Sequence, residues 1–410
     1  MPLNNFARQV AGLILLLSLV FPTSFTAFKT VALLLPLGSL ILGGGIVGRV
    51  DTRLIIAAIL FSCIGLGWSL YGALVGNLGA LRVLTVMVVY PILFTILAML
   101  YRGDSQGLER LLVFAGLMIV LIDLGFVLGE IVLPGNPLGV TLRALYGDEA
   151  VVDYGAGYLK FTLPNVSTVI FLLSFMLCRI ICERITLTGL VTFLGLVLVV
   201  VLSGRRVILV TAFFGPVIAY CMSWGAPGGR GWAVFKVGIS VGGAILLAVF
   251  MYSLWPDYIY ERVSSIFEFG EGASNLERTY QFIALMDGIY DHPLWGAGAG
   301  AVADYIRSEE MPWAYELFYI ALVFQYGLLG FAVYAVGVFF LMVFLAREVR
   351  RKGRDCFEFY YLCGLISFLL ATATNPYLAK FDYMWVLFVP VALLNHRLIE
   401  SVDRSWVHGH

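Results

Sequence analysis

The sequence predicts an all-α polytopic integral membrane protein, and three observations carry the prediction. Hydrophobic residues make up 61% of the chain and charged residues 13%, with a mean hydropathy of +0.94, well outside the range of soluble domains. Apolar stretches of roughly 20 residues, the length at which a helix crosses the hydrocarbon, recur about twelve times. These stretches are continuous, whereas β-barrel spans would be shorter and alternating. The formal charge sums to zero, so it is the partition of charge between the two sides that carries information.

In chain order the expected spans lie near 9–25, 28–48, 54–75, 82–101, 111–133, 166–182, 185–203, 206–223, 233–253, 316–346, 357–376 and 381–399. They divide the chain into helices one to five (1–133), a first outer loop (134–165), helices six to nine (166–253) and a large outer loop with short helices (254–315). Helices ten to twelve (316–399) and a cytoplasmic tail (400–410) follow. Lysine and arginine mark the cytoplasmic side of a membrane protein. With the N-terminus inside, that side collects Arg8, Arg49, Arg53, Arg102, Arg110, Arg179, Arg184, Arg230, Lys236, Arg397, Arg404 and the cluster from Arg347 to Arg354. Both long loops then face outward, which in a bacterium is the periplasm. The first apolar run, after Arg8, reads as an uncleaved helix because so many spans follow it.

All six cysteines fall in or beside spans, so no disulfide framework is indicated. Only His292 among the four histidines lies outside, which argues against a histidine metal site there. No metal, cofactor or nucleic-acid partner is expected. The run Gly296-Ala297-Gly298-Ala299-Gly300 reads as a turn, because no strand precedes it as a dinucleotide loop would require.

The first five spans carry little chemistry, and Gly43, Gly44 and Gly45 read as close helix packing. Asp123 is the exception: an ionisable group in a span is either functional or paired with a polar group on a neighbouring helix. The loop at 134–165 mixes Arg143, Asp148, Glu149, Asp153 and Lys160 without a diagnostic pattern. At Ser203-Gly204-Arg205-Arg206 the chain turns between two apolar runs, leaving adjacent arginines at the outer end of a helical hairpin. They either bind an anion or snorkel to lipid phosphates.

The segment 274–330 is the most informative stretch. Ser274 and Glu277 have capping-box spacing, predicting a helix to about Tyr290 that ends before Pro293. Arg278 falls in its first turns, where it suits an anion, or a salt bridge. From 253 to 315 ten carboxylates (Asp257, Glu261, Glu268, Glu271, Glu277, Asp287, Asp291, Asp304, Glu309, Glu310) surround three arginines (Arg262, Arg278, Arg307). Net charge will not draw an anion there, so single arginines must grip it, and most of the carboxylates read as a solvated surface.

The Ser-Gly-Arg-Arg turn is followed in order by Arg278, His292-Pro293-Leu294-Trp295-Gly296-Ala297-Gly298, Gly327-Leu328-Leu329-Gly330 and Thr374-Asn375-Pro376-Tyr377. Taken in that order, these pieces resemble the O-antigen ligase and polymerase superfamily over residues 185–395. The resemblance implies an inner-membrane glycosyltransferase of lipopolysaccharide or exopolysaccharide biosynthesis that uses an undecaprenyl-diphosphate-linked oligosaccharide. A chain-length regulator protein would be a further partner beside the lipid bilayer. Ligases carry a histidine where this chain has Glu316, which tilts the reading toward polymerase. The alternatives are a ligase acting on lipid A-core and a transporter or flippase of lipid-linked sugars; the latter often shows two related halves, and no such repeat is evident.

Within that resemblance Arg278 and Glu316 are the catalytic candidates. Arg205, Arg206, Arg262, Tyr315, Tyr319 and Asn375 are the substrate-binding candidates. Arg205, Arg206 and Arg278 are expected to converge on the departing diphosphate, which their bidentate, charge-assisted bonds can stabilise without a metal. Glu316 would take the proton of the attacking sugar hydroxyl, or else pair with an arginine. Tyr315, Tyr319, Trp313 and Trp295 suit sugar stacking and equally an interfacial aromatic belt.

Overall fold

The computed structural model describes residues 2–42, 50–100, 104–147, 150–153, 160–182, 186–227 and 273–407. The expected span at 233–253 and Arg262 lie outside the described residues. What is described is mostly helical. It divides into two compact units, one of Met1–Leu111, Leu276–Phe344 and Thr372–His410, the other of Leu112–Asn275 and Leu345–Ala371.

In the first unit, α1 (Pro2–Val20) packs on α2 (Thr26–Leu42), and α3 (Thr52–Leu74) starts at Asp51, whose side chain accepts the Arg53 N–H. The stretch expected as one span at 82–101 is α4 (Ala80–Leu84), one π-helical turn (Thr85–Val89) and α5 (Tyr90–Leu100). Such single π turns are inserted into α-helices and leave their overall course intact. After α11 (Ala273–Asp291, labelled in chain order) comes an irregular segment that ends where α12 (Phe318–Lys352) begins. Two short 3₁₀ turns, Tyr377–Ala379 and Phe381–Tyr383, then lead into α14 (Trp385–Val407), which packs on α5. Phe94 of α5 joins Phe381 and Phe388 at ring distances of 4.7 and 5.7 Å.

In the second unit, α6 (Ser105–Val132) leads to the short α7 (Pro137–Tyr146), capped by Asn136 with proline at its first turn. The helix α6 starts six residues before the expected 111, because Asp104 accepts the Gly107 N–H at 2.8 Å and so caps a polar first turn that hydropathy alone passes over. A departure from the all-α expectation follows: β1 (Val151–Asp153) pairs antiparallel with β2 (Lys160–Thr162), Val152 opposite Phe161. Three-residue strands are too short to show a period, and the β-branched and aromatic pair is what favours them. Next, α8 (Val166–Cys182) is buried along most of its length, with α9 (Leu187–Ser203) and α10 (Arg206–Met222) packed on it. Ser367 of α13 (Phe357–Thr372) bonds Ser174 Oγ at 2.7 Å and donates to Thr211 O at 2.8 Å, joining three apolar helices through hydroxyls.

Three helices, α3, α6 and α12, are long and apolar enough to cross a membrane, and several shorter apolar helices of 10–17 residues accompany them. These helices mark the chain as membrane-embedded.

The helix α12 is broken. Gly327 has φ 65° and ψ 178°, and a Cβ there would stand 2.1 Å from the Leu294 carbonyl oxygen. Around the break the backbone groups find partners on the 293–297 loop. Leu328 N–H donates to Pro293 O at 2.9 Å, Leu329 N–H to Leu294 O at 3.2 Å, and Ala297 N–H to Phe324 O at 2.8 Å. An interrupted apolar helix persists only where protein supplies those bonds. The glycine-rich run therefore does more than turn: it clasps the broken helix, and Gly300 N–H adds a bond to the Gln325 side chain at 3.2 Å.

Candidate functional site

The sequence reading of α11 holds in its bounds, for the helix ends at Asp291 just before His292 and Pro293. The side chain of Ser274, the expected cap, lies outside the described residues, and Glu277 Oε1 accepts from Arg307 Nε at 3.2 Å.

One turn of α11 and the end of the irregular segment form a charged cluster. Arg278 Nε donates to Glu316 Oε2 at 2.7 Å, and Arg307 Nη2 meets Glu316 Oε1 at 2.8 Å. Each carboxylate oxygen of Glu316 thus faces its own guanidinium, and two arginines balance two glutamates. The arginine side chains are 31% and 36% exposed and the Glu316 side chain 12%, so solvent reaches the guanidiniums while the carboxylate is largely enclosed. Among the described residues neither Nη of Arg278 has a hydrogen-bond partner.

The cluster is held from beneath. Gln281, one turn on from Arg278, is fully buried and its Oε1 accepts the Glu316 N–H at 2.8 Å, leaving Nε2 without an acceptor. Tyr315 sits in the core with Leu285 and Phe324, and its hydroxyl accepts the Ala303 N–H at 2.7 Å. Burial raises the Tyr315 phenol above its ordinary pKa; the Ala303 bond opposes that shift and Asp304 adds to it. With 2% of its surface exposed, Tyr315 anchors the segment and offers no open ring face to a sugar, which corrects its expected stacking role.

The other candidates have partners of their own. Tyr319 is half-buried, edge-on to Phe318 at 5.6 Å. Asn375 is half-buried and donates to Thr374 Oγ1 at 3.3 Å, at the start of a 3₁₀ turn. Trp295 is 62% exposed and stacks on Trp68 at 5.7 Å, its carbonyl accepting the Trp68 indole N–H at 2.8 Å. Trp313 packs over Gly79, and its carbonyl oxygen accepts from the Gln325 amide at 3.2 Å.

Arg205 and Arg206 belong to the second unit. Gly204, with φ 62°, ends α9 in a left-handed cap at the expected turn, and Arg206 opens α10. The Arg206 side chain is outside the described residues. Arg205 Nη1 donates to Ser167 Oγ at 3.2 Å and is the electrostatic partner of Asp123. Asp123 is fully buried, and Asn165 Nδ2 donates to its Oδ1 at 2.6 Å. A polar partner on a neighbouring segment is therefore present. Asp123 Oδ2 and Asn165 Oδ1 remain buried without hydrogen-bond partners.

Sequence reasoning passed over a second buried charge. Lys29 on α2 is fully buried, with Nζ 2.5 Å from Asp382 Oδ1 and 2.8 Å from Phe21 O, and Thr23 N–H donates to Asp382 Oδ2 at 2.9 Å. Thr23 and Phe25 beside it have φ of 67° and 56°, uncommon for residues with a Cβ. The rule that singled out Asp123, an ionisable group inside an apolar stretch, applies equally to Lys29. For Arg307 the available signal was its scarcity, as one of three arginines among ten carboxylates. Gln281 carried none.

No family model matches the chain, and no curated protein matches its sequence. The functional reading rests on the chain's own residues and motifs.

Proposed function

We propose that the protein is a polysaccharide polymerase of O-antigen or exopolysaccharide type, a membrane glycosyltransferase acting on undecaprenyl-diphosphate-linked glycans. In this reading the chain crosses a bacterial inner membrane about twelve times, counted at roughly 20 apolar residues per span. Its two long loops face the periplasm. The observation that carries the reading is the meeting of Arg278 and Glu316, 38 positions apart in sequence and 2.7 Å apart in space, beside the mouth of α12. One group suits a diphosphate and the other a proton, and the reaction needs both at one place.

The chemistry follows from those groups. A hydroxyl of the acceptor glycan attacks the anomeric carbon of the donor sugar, forming the new glycosidic bond as the bond from that carbon to the diphosphate oxygen breaks. The electron pair leaves with undecaprenyl diphosphate, whose charge Arg278 stabilises through its free Nη groups. The hydroxyl proton passes to Glu316. Arg205, Arg206 and Arg262 serve as further ligands of anionic oxygens, while Tyr319 and Asn375 contact the glycan.

Purified protein in detergent is expected to lengthen a lipid-linked oligosaccharide. A second reading, transport of lipid-linked sugars, draws on the break at Gly327, because transporters use interrupted helices around their binding sites. Unchanged chain length together with sugar movement across vesicles would favour transport, and transfer onto lipid A-core alone would favour a ligase. Reporter fusions near Gly272 should read out on the outer face and those at Gly353 in the cytoplasm; a cytoplasmic result near Gly272 removes the reaction from its compartment.

A further inference from the structure

A guanidinium sees a carboxylate and a phosphate in much the same way, as paired oxygens that accept charge-assisted bonds. Glu316 offers such a pair to two guanidiniums at once, at 2.7 Å from Arg278 and 2.8 Å from Arg307. The groups that hold this carboxylate have the arrangement that would hold a phosphate. A second observation points the same way. Gln281 Nε2 is a fully buried donor with no acceptor, on a side chain whose oxygen is already fixed by the Glu316 N–H. An unmet buried donor is uncommon and costs about 1–3 kcal/mol, so an oxygen acceptor brought within its reach is favoured.

We propose that Glu316 is an internal stand-in for the lipid diphosphate. In the resting protein its carboxylate occupies a two-arginine anion site made by Arg278 and Arg307, and a bound diphosphate takes its place. This deepens the reading above and rests on it. It makes Arg307 a diphosphate ligand, and it ties the freeing of Glu316 to the arrival of donor. While both oxygens are held by guanidiniums, neither is open to a hydroxyl proton; once the arginines turn to the diphosphate, the carboxylate is open.

Magnitudes allow the exchange. With the arginines about a third exposed and the Glu316 carboxylate 12% exposed, these pairs stand between the exposed case, roughly 0–1 kcal/mol, and the buried one, and a dianion with bidentate bonds offers each guanidinium a stronger partner. The Lys29–Asp382 pair, with side chains 0% and 5% exposed, is the opposite case, since breaking a buried pair costs about 3–5 kcal/mol. Glu277 keeps Arg307 in place during the exchange through its bond to Nε.

The test is binding of inorganic pyrophosphate to the full-length protein in detergent, measured by titration calorimetry. Glu316→Gln removes the competing charge and is expected to bind pyrophosphate about ten-fold tighter than the wild type, a shift of about 1.4 kcal/mol. Arg307→Ala is expected to bind about ten-fold weaker. Arg307→Lys, which keeps the charge and loses the fork, should fall between the two and guards against misfolding as the explanation. Equal affinity in wild type and Glu316→Gln, or no binding by either, overturns the proposal, as does wild-type affinity in Arg307→Ala. Because the measurement needs no glycan, its outcome is separate from that of the chain-lengthening assay. Tighter binding in Glu316→Gln by a protein that lengthens no glycan would defeat the polymerase reading while leaving the exchange in place.

Discussion

The cluster at Glu316 and the cluster at Asp123 each combine a carboxylate, an arginine and a side-chain amide, yet they stand in different surroundings. At Glu316 both carboxylate oxygens are paired, and the arginines that pair them reach solvent. At Asp123 the carboxylate and its Asn165 partner are fully buried, and one oxygen on each is left without a hydrogen-bond partner. The difference concerns exchange. An ion pair whose arginines are about a third exposed opens for a ligand at less cost than a buried one, since water takes up the freed guanidiniums. A buried one holds its geometry because leaving either partner alone is expensive. The first is therefore built as a site of traffic, the second as a fixed polar joint between α6 and the start of α8.

Substitutions at four positions test that contrast. The largest effect is expected at Glu316, where Glu316→Gln should lower polymerising turnover by about 10²–10⁴-fold, the usual contribution of a general base, with the protein still inserted. Wild-type turnover across the pH range would make Glu316 a partner of the arginines and nothing more. Next comes Asp123→Ala, which strips the Asn165 amide of its acceptor and should lower stability by about 1–3 kcal/mol, read as an earlier thermal unfolding in detergent. The double variant Asp123→Ala, Asn165→Ala should be less destabilised than the two single changes added together, because removing both partners leaves no orphaned group. Full additivity would dissolve the joint. The smallest effect belongs to Glu277→Gln, which loses a partly exposed bond to Arg307 and should cost no more than about 1 kcal/mol of stability. A loss as large as that at Asp123 would erase the distinction between the two clusters.

Much of the helical layout was legible beforehand. The bounds of α8, α9 and α10 were readable because a leucine and valine run bracketed by polar turns leaves little choice. The hairpin at Ser203 to Arg206 was readable because a polar Ser-Gly-Arg-Arg turn separates two apolar runs. Where reading from sequence fell short, the cause was distance along the chain. For Glu277 the sequence suggests a local cap, the nearest role open to it, and gives no sign that its carboxylate also meets Arg307 thirty residues away. Tyr315 looked like an interfacial ring until Ala303, twelve residues earlier, was found bonded to its hydroxyl. The break at Gly327 is not marked by hydropathy, since Leu322-Val323-Phe324 before it and Leu328-Leu329 after it belong to one apolar stretch.

By itself the sequence determined that this chain is helical and membrane-embedded, where the apolar helices begin and end, and which few charges are worth attention. Those are matters of composition and local period, set by the cost of placing polar groups in hydrocarbon. Only the tertiary structure decided what each charge faces. It put Arg278 and Arg307 on opposite oxygens of Glu316, Asn165 on Asp123, Asp382 on Lys29, and the glycine loop against the open backbone of α12. Pairing at a few ångströms depends on how helices distant in sequence pack, and packing is not written in the periodicity of any one of them.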